Sequence, residues 1–205
     1  MKPRIEGMIF DVGGVLVTEV MDICLESASK TLDVRISRLR AILADGKVSG
    51  LQTGQITAIA YWQNVCRLYD IPYPNDRVLD SLWAKPYAKN RKKKTDTIRL
   101  AKKIKRLIPV AILSNTIESH ARHNRKTGVY DGFDPVILSN EVGLRKPQKE
   151  IFLLAAQKMG IAPQNLLFID DSLRFVKAAR AAGLQAVHFR SAEQLEQKLK
   201  SLGIL

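Results

Sequence analysis

Five polar residues share one property: each follows a short apolar run. Asp11 closes the run at 5–10, Ser114 and Asn115 close 109–113, and Asp170 and Asp171 close 166–169. Lys146 stands just before Pro147, after a third run at 136–138. Short apolar runs ended by turn residues read as buried strands. In an open parallel sheet the ligand crevice lies beyond the carboxyl ends of the strands, so these side chains are predicted to converge there. Carboxylates crowded together repel and raise one another's pKa unless a cation neutralises them. A hard divalent ion is implied, most naturally Mg²⁺, which accepts carboxylates, waters and phosphate oxygens. Beside such an ion Asp11 is suited to attack phosphorus and carry an aspartyl-phosphate. Ser114, Asn115 and the backbone amides around them suit the phosphoryl oxygens, and Lys146 suits the negative charge that develops during transfer.

The elements that must position these residues follow from pattern. A fifth strand is expected at 186–189, and amphipathic helices separate the later strands. One is read at 148–159 with Pro147 in its first turn and Gly160 after its end, another at 176–182 before Gly183. The last opens on Ser191 with Gln194 three residues on, a capping-box spacing, and carries Leu195, Leu199 and Leu202 on one face. Strands alternating with helices make an α/β fold with a parallel, Rossmann-like sheet. Almost a hundred residues separate the first two strands, far more than one crossover needs. Their apolar residues recur at helical intervals over 20–31, 36–43, 56–69 and 78–83. The expected organisation is a core of residues 1–16 and 89–205 with a small helical insert at 17–88, standing over the C-terminal edge of the sheet.

With 205 residues, the chain has room for one core plus a small module, and 46% hydrophobic residues against 26% charged excludes disordered and collagen-like classes. No apolar stretch reaches the roughly 18 residues of a membrane span. The first residues, Met1-Lys2-Pro3-Arg4, do not begin a hydrophobic leader, which gives a cytoplasmic expectation. Cys24 and Cys66 lie in apolar helical surroundings and read as reduced core residues. The net charge of +13 is concentrated: residues 89–106 hold ten bases and one acid. From Thr95 this run reads as an amphipathic helix that packs Ile98, Ala101, Ile104 and Leu107 and keeps Arg99, Lys102, Lys103 and Arg106 in water. Clustered bases are also the footprint of nucleic-acid binding, but no aromatic residues interleave them to stack bases.

The ordered blocks Ile9-Phe10-Asp11-Val12-Gly13-Gly14-Val15-Leu16, Ile112-Leu113-Ser114-Asn115-Thr116, Gly143-Leu144-Arg145-Lys146-Pro147 and Phe168-Ile169-Asp170-Asp171-Ser172 span nearly the whole chain. Together they resemble the haloacid dehalogenase-like hydrolases, in particular the branch of glucose-1-phosphate phosphatases and the phosphatase domain of epoxide hydrolases. The helical insert matches the position of that family's first type of cap. The resemblance implies a Mg²⁺-dependent phosphatase acting on a small phosphorylated metabolite. It makes Asp11 the nucleophile, Ser114 the phosphate binder and Lys146 the charge stabiliser. Asp11, the Gly13 carbonyl, Asp170 and Asp171 become the metal side, with Asp171 a direct ligand and Asp170 acting partly through water.

One departure bears on rate. Relatives usually carry an acid/base aspartate two positions after the nucleophile, and here that position is Gly13. General acid–base help is worth about 10² to 10⁴ in rate, so slow turnover is expected. Glu19 and Asp22 are the nearest acids in sequence that could substitute. Dehalogenation is disfavoured, because the dehalogenases carry tyrosine at the Gly13 position. Phe175 replaces a common asparagine. The alternatives are a catalytically weakened relative that binds a phosphorylated ligand or partner, and a nucleic-acid-associated protein using 89–106. Oligomeric state is left open.

Plainer structural roles compete for several residues. Asp11 could serve only as a turn residue, and Ser172 reads as a helix cap rather than a catalytic group. His120 and His123, flanked by Arg122 and Arg125, read as solvated, and His188 as a strand residue. Tyr61, Trp62, Tyr69 and Trp83 read as packing within the helical insert, with Tyr61 the one to check for a view of the crevice.

Overall fold

A computed structural model describes residues 4–46 and 49–205; Met1–Pro3, the start of the segment read as lacking a leader, lie outside the described residues. Five strands, β1 (Gly7–Phe10), β2 (Val110–Ser114), β3 (Val136–Leu138), β4 (Leu166–Asp170) and β5 (Gln185–His188), form one parallel sheet in the order β3-β2-β1-β4-β5. The order reverses between β1 and β4, where the crevice of such a sheet opens. Strands β1, β2 and β4 are buried along their whole length, which explains their continuous apolar runs.

Alternation along the strands divides the core in two. Met8, Phe10, Ile112, Leu167 and Ile169 pack on one face with Leu100, Ala101 and Ile104 of α5 (Thr95–Lys105) and with Leu195 and Leu199 of α10 (Ala192–Ser201). Ile9, Ala111, Leu113 and Phe168 point the other way. They meet Ile151, Phe152 and Ala155 of α8 (Lys149–Met159) and Val176 and Ala179 of α9 (Leu173–Ala181).

Local signals account for several boundaries. Ser191 Oγ accepts from Gln194 N–H, while Gln194 Oε1 accepts from Arg190 N–H, one residue before the reciprocal partner of a standard capping box. Gly160 ends α8 in the left-handed conformation. Three expectations shift. Helix α8 begins at Lys149, so Pro147 precedes its first turn, in a cis bond with Lys146. Helix α5 ends at Lys105, which leaves Leu107 beyond it and 57% exposed; Leu100 takes the buried place. Ser172 stands at the N-cap of α9, but its side chain makes no capping hydrogen bond.

Residues between β1 and β2 form α1 (Met21–Thr31), α2 (Ile36–Asp45), α3 (Ala58–Leu68) and α4 (Asp76–Asn90) ahead of α5. They share a core of Cys24, Leu39, Trp62, Cys66, Leu79 and Trp83, closed by Ile117 from the segment after β2. The chain leaves and re-enters the sheet side by side. Val17 bridges Lys93, Thr18 N–H donates to the Lys92 carbonyl and Lys94 N–H donates to the Leu16 carbonyl, both at 2.8 Å. Among the described residues no helix is long and apolar enough to cross a membrane.

The contact between α4 and α6 (Glu118–Lys126) corrects the reading of His120 as solvated. Its ring stacks on Tyr87 at 3.6 Å and 9°, and its Nε2 lies 3.3 Å from the Trp83 carbonyl. Burial is the main cause that lowers its pKa to about 4. His123 meets the same Tyr87 ring edge-on. Trp62 and Trp83 lie 5.3 Å apart in the core of the insert, and Tyr61 packs edge-on against Trp62.

Candidate active site

Asp11 follows β1 directly and Asp170 is the last residue of the neighbouring β4, so their carboxylates flank the reversal point of the sheet. Lys146, in the segment between β3 and α8, reaches between them. Its Nζ lies 2.8 Å from Asp11 Oδ1 and 2.6 Å from Asp170 Oδ2, with only 1% of its side chain exposed. The rings of Phe175 and Phe168 stand 4.9 and 5.3 Å from the same nitrogen. Phe175 thus supplies an aromatic face to the ammonium, a favourable contact for a desolvated cation.

The neighbours of this lysine are themselves held. Asn115, after β2, accepts from Lys146 N–H at Oδ1 (2.8 Å) and donates through Nδ2 to the Lys146 carbonyl (2.9 Å). Asp170 Oδ1 accepts from the Ser172 N–H at 2.8 Å, so both of its oxygens are engaged. Thr116 N–H donates to Oγ of Ser139, the first residue of α7 (Ser139–Val142), which steadies the loop after Ser114. Ser114 is buried at the end of β2 and makes no side-chain hydrogen bond among the described residues.

Asp171 turns outward from the strand end, and His188 pairs with its backbone carbonyl at 2.9 Å. Its carboxylate packs on Gly14. A Cβ at Gly14 would lie 1.8 Å from Asp171 Oδ2, and φ there is +67°, so both space and backbone require glycine. Among the described residues Asp11, Asp170 and Asp171 bring ligand oxygens within 4.8 Å of one another. Fully ionised, they exceed the charge of Lys146 by two. An all-oxygen set with that excess fits a hard divalent cation.

Electrostatics follow the same geometry. Burial, opposed by Lys146 and reinforced by Asp170, lifts the Asp11 carboxyl to about 7. Burial, then the charges of Asp170 and Glu19, raise Asp171. Burial disfavours the Lys146 ammonium, but Asp11 and Asp170 outweigh it and hold Lys146 above its usual range.

The structure therefore brings together Asp11, Lys146, Asp170 and Asp171, with Ser114 and Asn115 on the adjoining strand end. Gly13, half-buried in the turn after Asp11, faces Glu19: a Cβ at Gly13 would lie 3.1 Å from Glu19 Oε2. Asp22 points elsewhere and pairs with Arg40. Sequence reasoning did not foresee the Phe168 and Phe175 rings or the orientation of Glu19. From the basic segment, the Lys94 ammonium is spent on the Gly14 carbonyl.

Comparison with known proteins gives a consistent picture. The family model for haloacid dehalogenase-like hydrolases matches residues 5–183. A phosphoglycolate phosphatase of Escherichia coli strain K12 is 46% identical over 55 residues, 27% of this chain and 22% of that one. A fructose-1-phosphate phosphatase of the same organism is 40% identical over 63 residues, 31% of this chain and 34% of that one. The matches thus span about a third or less of these curated relatives. A family enzyme from Bacteroides thetaiotaomicron, crystallised with magnesium and inorganic phosphate, superposes with a TM-score of 0.73 at 24% identity, covering 91% of this chain and 95% of the other.

Proposed function

The chain belongs to the haloacid dehalogenase-like hydrolases, and from that premise we propose that it is a Mg²⁺-dependent phosphatase. It cleaves a small organic phosphomonoester through an aspartyl-phosphate. The observation that carries this reading is the Lys146 ammonium buried between Asp11 and Asp170, with the Asp171 carboxylate beside them. The relatives are named for phosphoglycolate and fructose 1-phosphate, which supports a small phosphorylated metabolite, a sugar phosphate or similar, as substrate.

Asp11, Asp170, Asp171 and the Gly13 carbonyl would hold the ion. Bound Mg²⁺ supplies positive charge that lets the carboxylates stay ionised around a dianionic phosphate. Lys146 holds Asp11 through Oδ1, which leaves the other Asp11 oxygen for attack. A bond forms from that oxygen to phosphorus as the bond to the alcohol oxygen breaks. The Ser114 hydroxyl, available at the strand end, and the Asn115 backbone N–H bind the phosphoryl oxygens, since the Asn115 side chain is committed to Lys146. Lys146 offsets the charge that gathers on the transferring group. Water then attacks phosphorus, releases inorganic phosphate and restores the Asp11 carboxylate.

Hydrolysis of p-nitrophenyl phosphate tests the reading. It is expected to require added Mg²⁺ and to fall to background in Asp11→Asn with the fold intact by circular dichroism. Activity that survives that substitution, or survives chelation, overturns it.

A further inference from the structure

Breaking the ester bond places negative charge on the departing alcohol oxygen, and hydrolysis of the aspartyl-phosphate requires a water to lose a proton. Both steps gain from a carboxyl group close to Asp11. Asp11 itself is the attacking group, both oxygens of Asp170 are engaged, and Asp171 lies on the metal side.

Glu19 remains. Its Oε1 accepts from the N–H groups of Val20 and Met21, both at 2.8 Å, at the entry to α1. That contact fixes the carboxylate and leaves Oε2 without a hydrogen bond among the described residues. Oε2 is the atom 3.1 Å from the place a Gly13 Cβ would take. Gly13 is not among the glycines at positive φ, so the backbone there does not demand glycine. A side chain at 13 and the Glu19 carboxylate share one volume, and a Cβ there would need Oε2 to shift by a few tenths of an ångström. The chain turns sharply between them, with Leu16 and Val17 N–H both donating to the Val12 carbonyl, and this fold-back returns residue 19 to residue 13.

We infer that Glu19 is the proton-transfer group of this site, its carboxyl reaching over the glycine that stands two positions after Asp11. The inference rests on the phosphatase reading. In the first step Asp11 forms its bond to phosphorus, the ester P–O bond breaks, and the Glu19 proton passes to the leaving oxygen to give the free alcohol. In the second, Glu19 as carboxylate takes a proton from water while the water oxygen bonds to phosphorus. The bond from phosphorus to Asp11 breaks, phosphate leaves, and Glu19 is again protonated.

Glu19→Gln tests this while keeping an acceptor oxygen for Val20 and Met21. Two probes separate the steps: p-nitrophenyl phosphate, whose leaving group needs no proton, and an alkyl phosphate, whose leaving group does. With the alkyl ester kcat is expected to fall about 10² to 10⁴-fold. With p-nitrophenyl phosphate the variant is expected to release one product per enzyme in a burst and then turn over slowly, accumulating phosphorylated protein seen by intact mass. Mg²⁺ still binds by calorimetry, and the thermal midpoint stays at the wild-type value. Placing a carboxylate from the other side, Gly13→Asp combined with Glu19→Ala, is expected to recover at least about tenfold over Glu19→Ala alone. Unchanged alkyl-ester turnover in Glu19→Gln, or an equal loss on both esters without a burst and with weakened Mg²⁺ binding, overturns the assignment. A wild-type protein without Asp11-dependent hydrolysis would instead remove the phosphatase reading beneath it.

Discussion

Asn115 and Lys146 are joined by two hydrogen bonds running in opposite directions, 2.8 Å from Lys146 N–H to Asn115 Oδ1 and 2.9 Å from Asn115 Nδ2 to the Lys146 carbonyl. One side chain thereby does for the β2 end and the lysine segment what a pair of strands does for each other. Asn115→Ala leaves both backbone groups of Lys146 without these partners. We expect a loss of about 1–3 kcal/mol in denaturant unfolding and a drop in kcat with little change in KM, because the ammonium loses its fixed aim.

Lys146 is the positive charge that Asp11 and Asp170 share in the buried site. Removing one partner of a buried ion pair typically costs about 3–5 kcal/mol. Lys146→Met, similar in volume and able to rest on Phe168 and Phe175, is expected to lose stability on that scale at pH 8 and to abolish phosphate ester hydrolysis. A variant as stable as wild type would show that the two carboxylates do not depend on this charge.

Cation binding to the folded site stabilises it by mass action, about 2.7 kcal/mol at a hundredfold excess over Kd. Mg²⁺ is therefore expected to raise the thermal midpoint, and the rise to shrink in Asp171→Asn, where the cluster loses its outward carboxylate. Calorimetric titration of the two proteins with Mg²⁺ supplies the affinities for comparison.

His120 carries a pH dependence of known sign. Its folded pKa of about 4 lies below the ordinary 6.5, because burial first and then the nearby charges of His123 and Arg91 disfavour the proton. Between these values the unfolded chain binds the proton and the folded chain does not, so stability falls as pH drops from 6.5 to about 4. The full effect is on the order of 3 kcal/mol, with no further loss from this group at lower pH. His120→Phe keeps a ring against Tyr87 and is expected to flatten that part of the profile measured by urea unfolding.

What was legible in the sequence is what local pattern determines. Strands buried on both faces announce themselves as unbroken apolar runs, and side chains at their carboxyl ends meet because the sheet is parallel. Asp11, Ser114, Asp170 and Asp171 could be located in that way. Contacts between distant segments leave no such trace. His120 looked solvated among arginines because nothing in its neighbourhood reveals that α4 lays Tyr87 across it. Phe175 looked like a lost asparagine, whereas its ring faces the Lys146 ammonium. Leu107 fitted the helical period of α5, but the helix stops two residues earlier. Closeness in sequence is all that marks Glu19; its direction depends on the turn at residues 12–17.

The paired backbone at Val17 and Lys93 gives the insert a single doorway. Inserts of different size can be spliced in there without altering which strands lie next to each other, so the helical insert is free to diverge while the sheet stays fixed. Exchanging the insert then leaves Asp11, Lys146 and Asp170 where the sheet and its following segments hold them. Glu19 stands just inside that threshold. An exchange that begins after residue 19 would keep the group we assign to proton transfer, and one that begins before it would replace it.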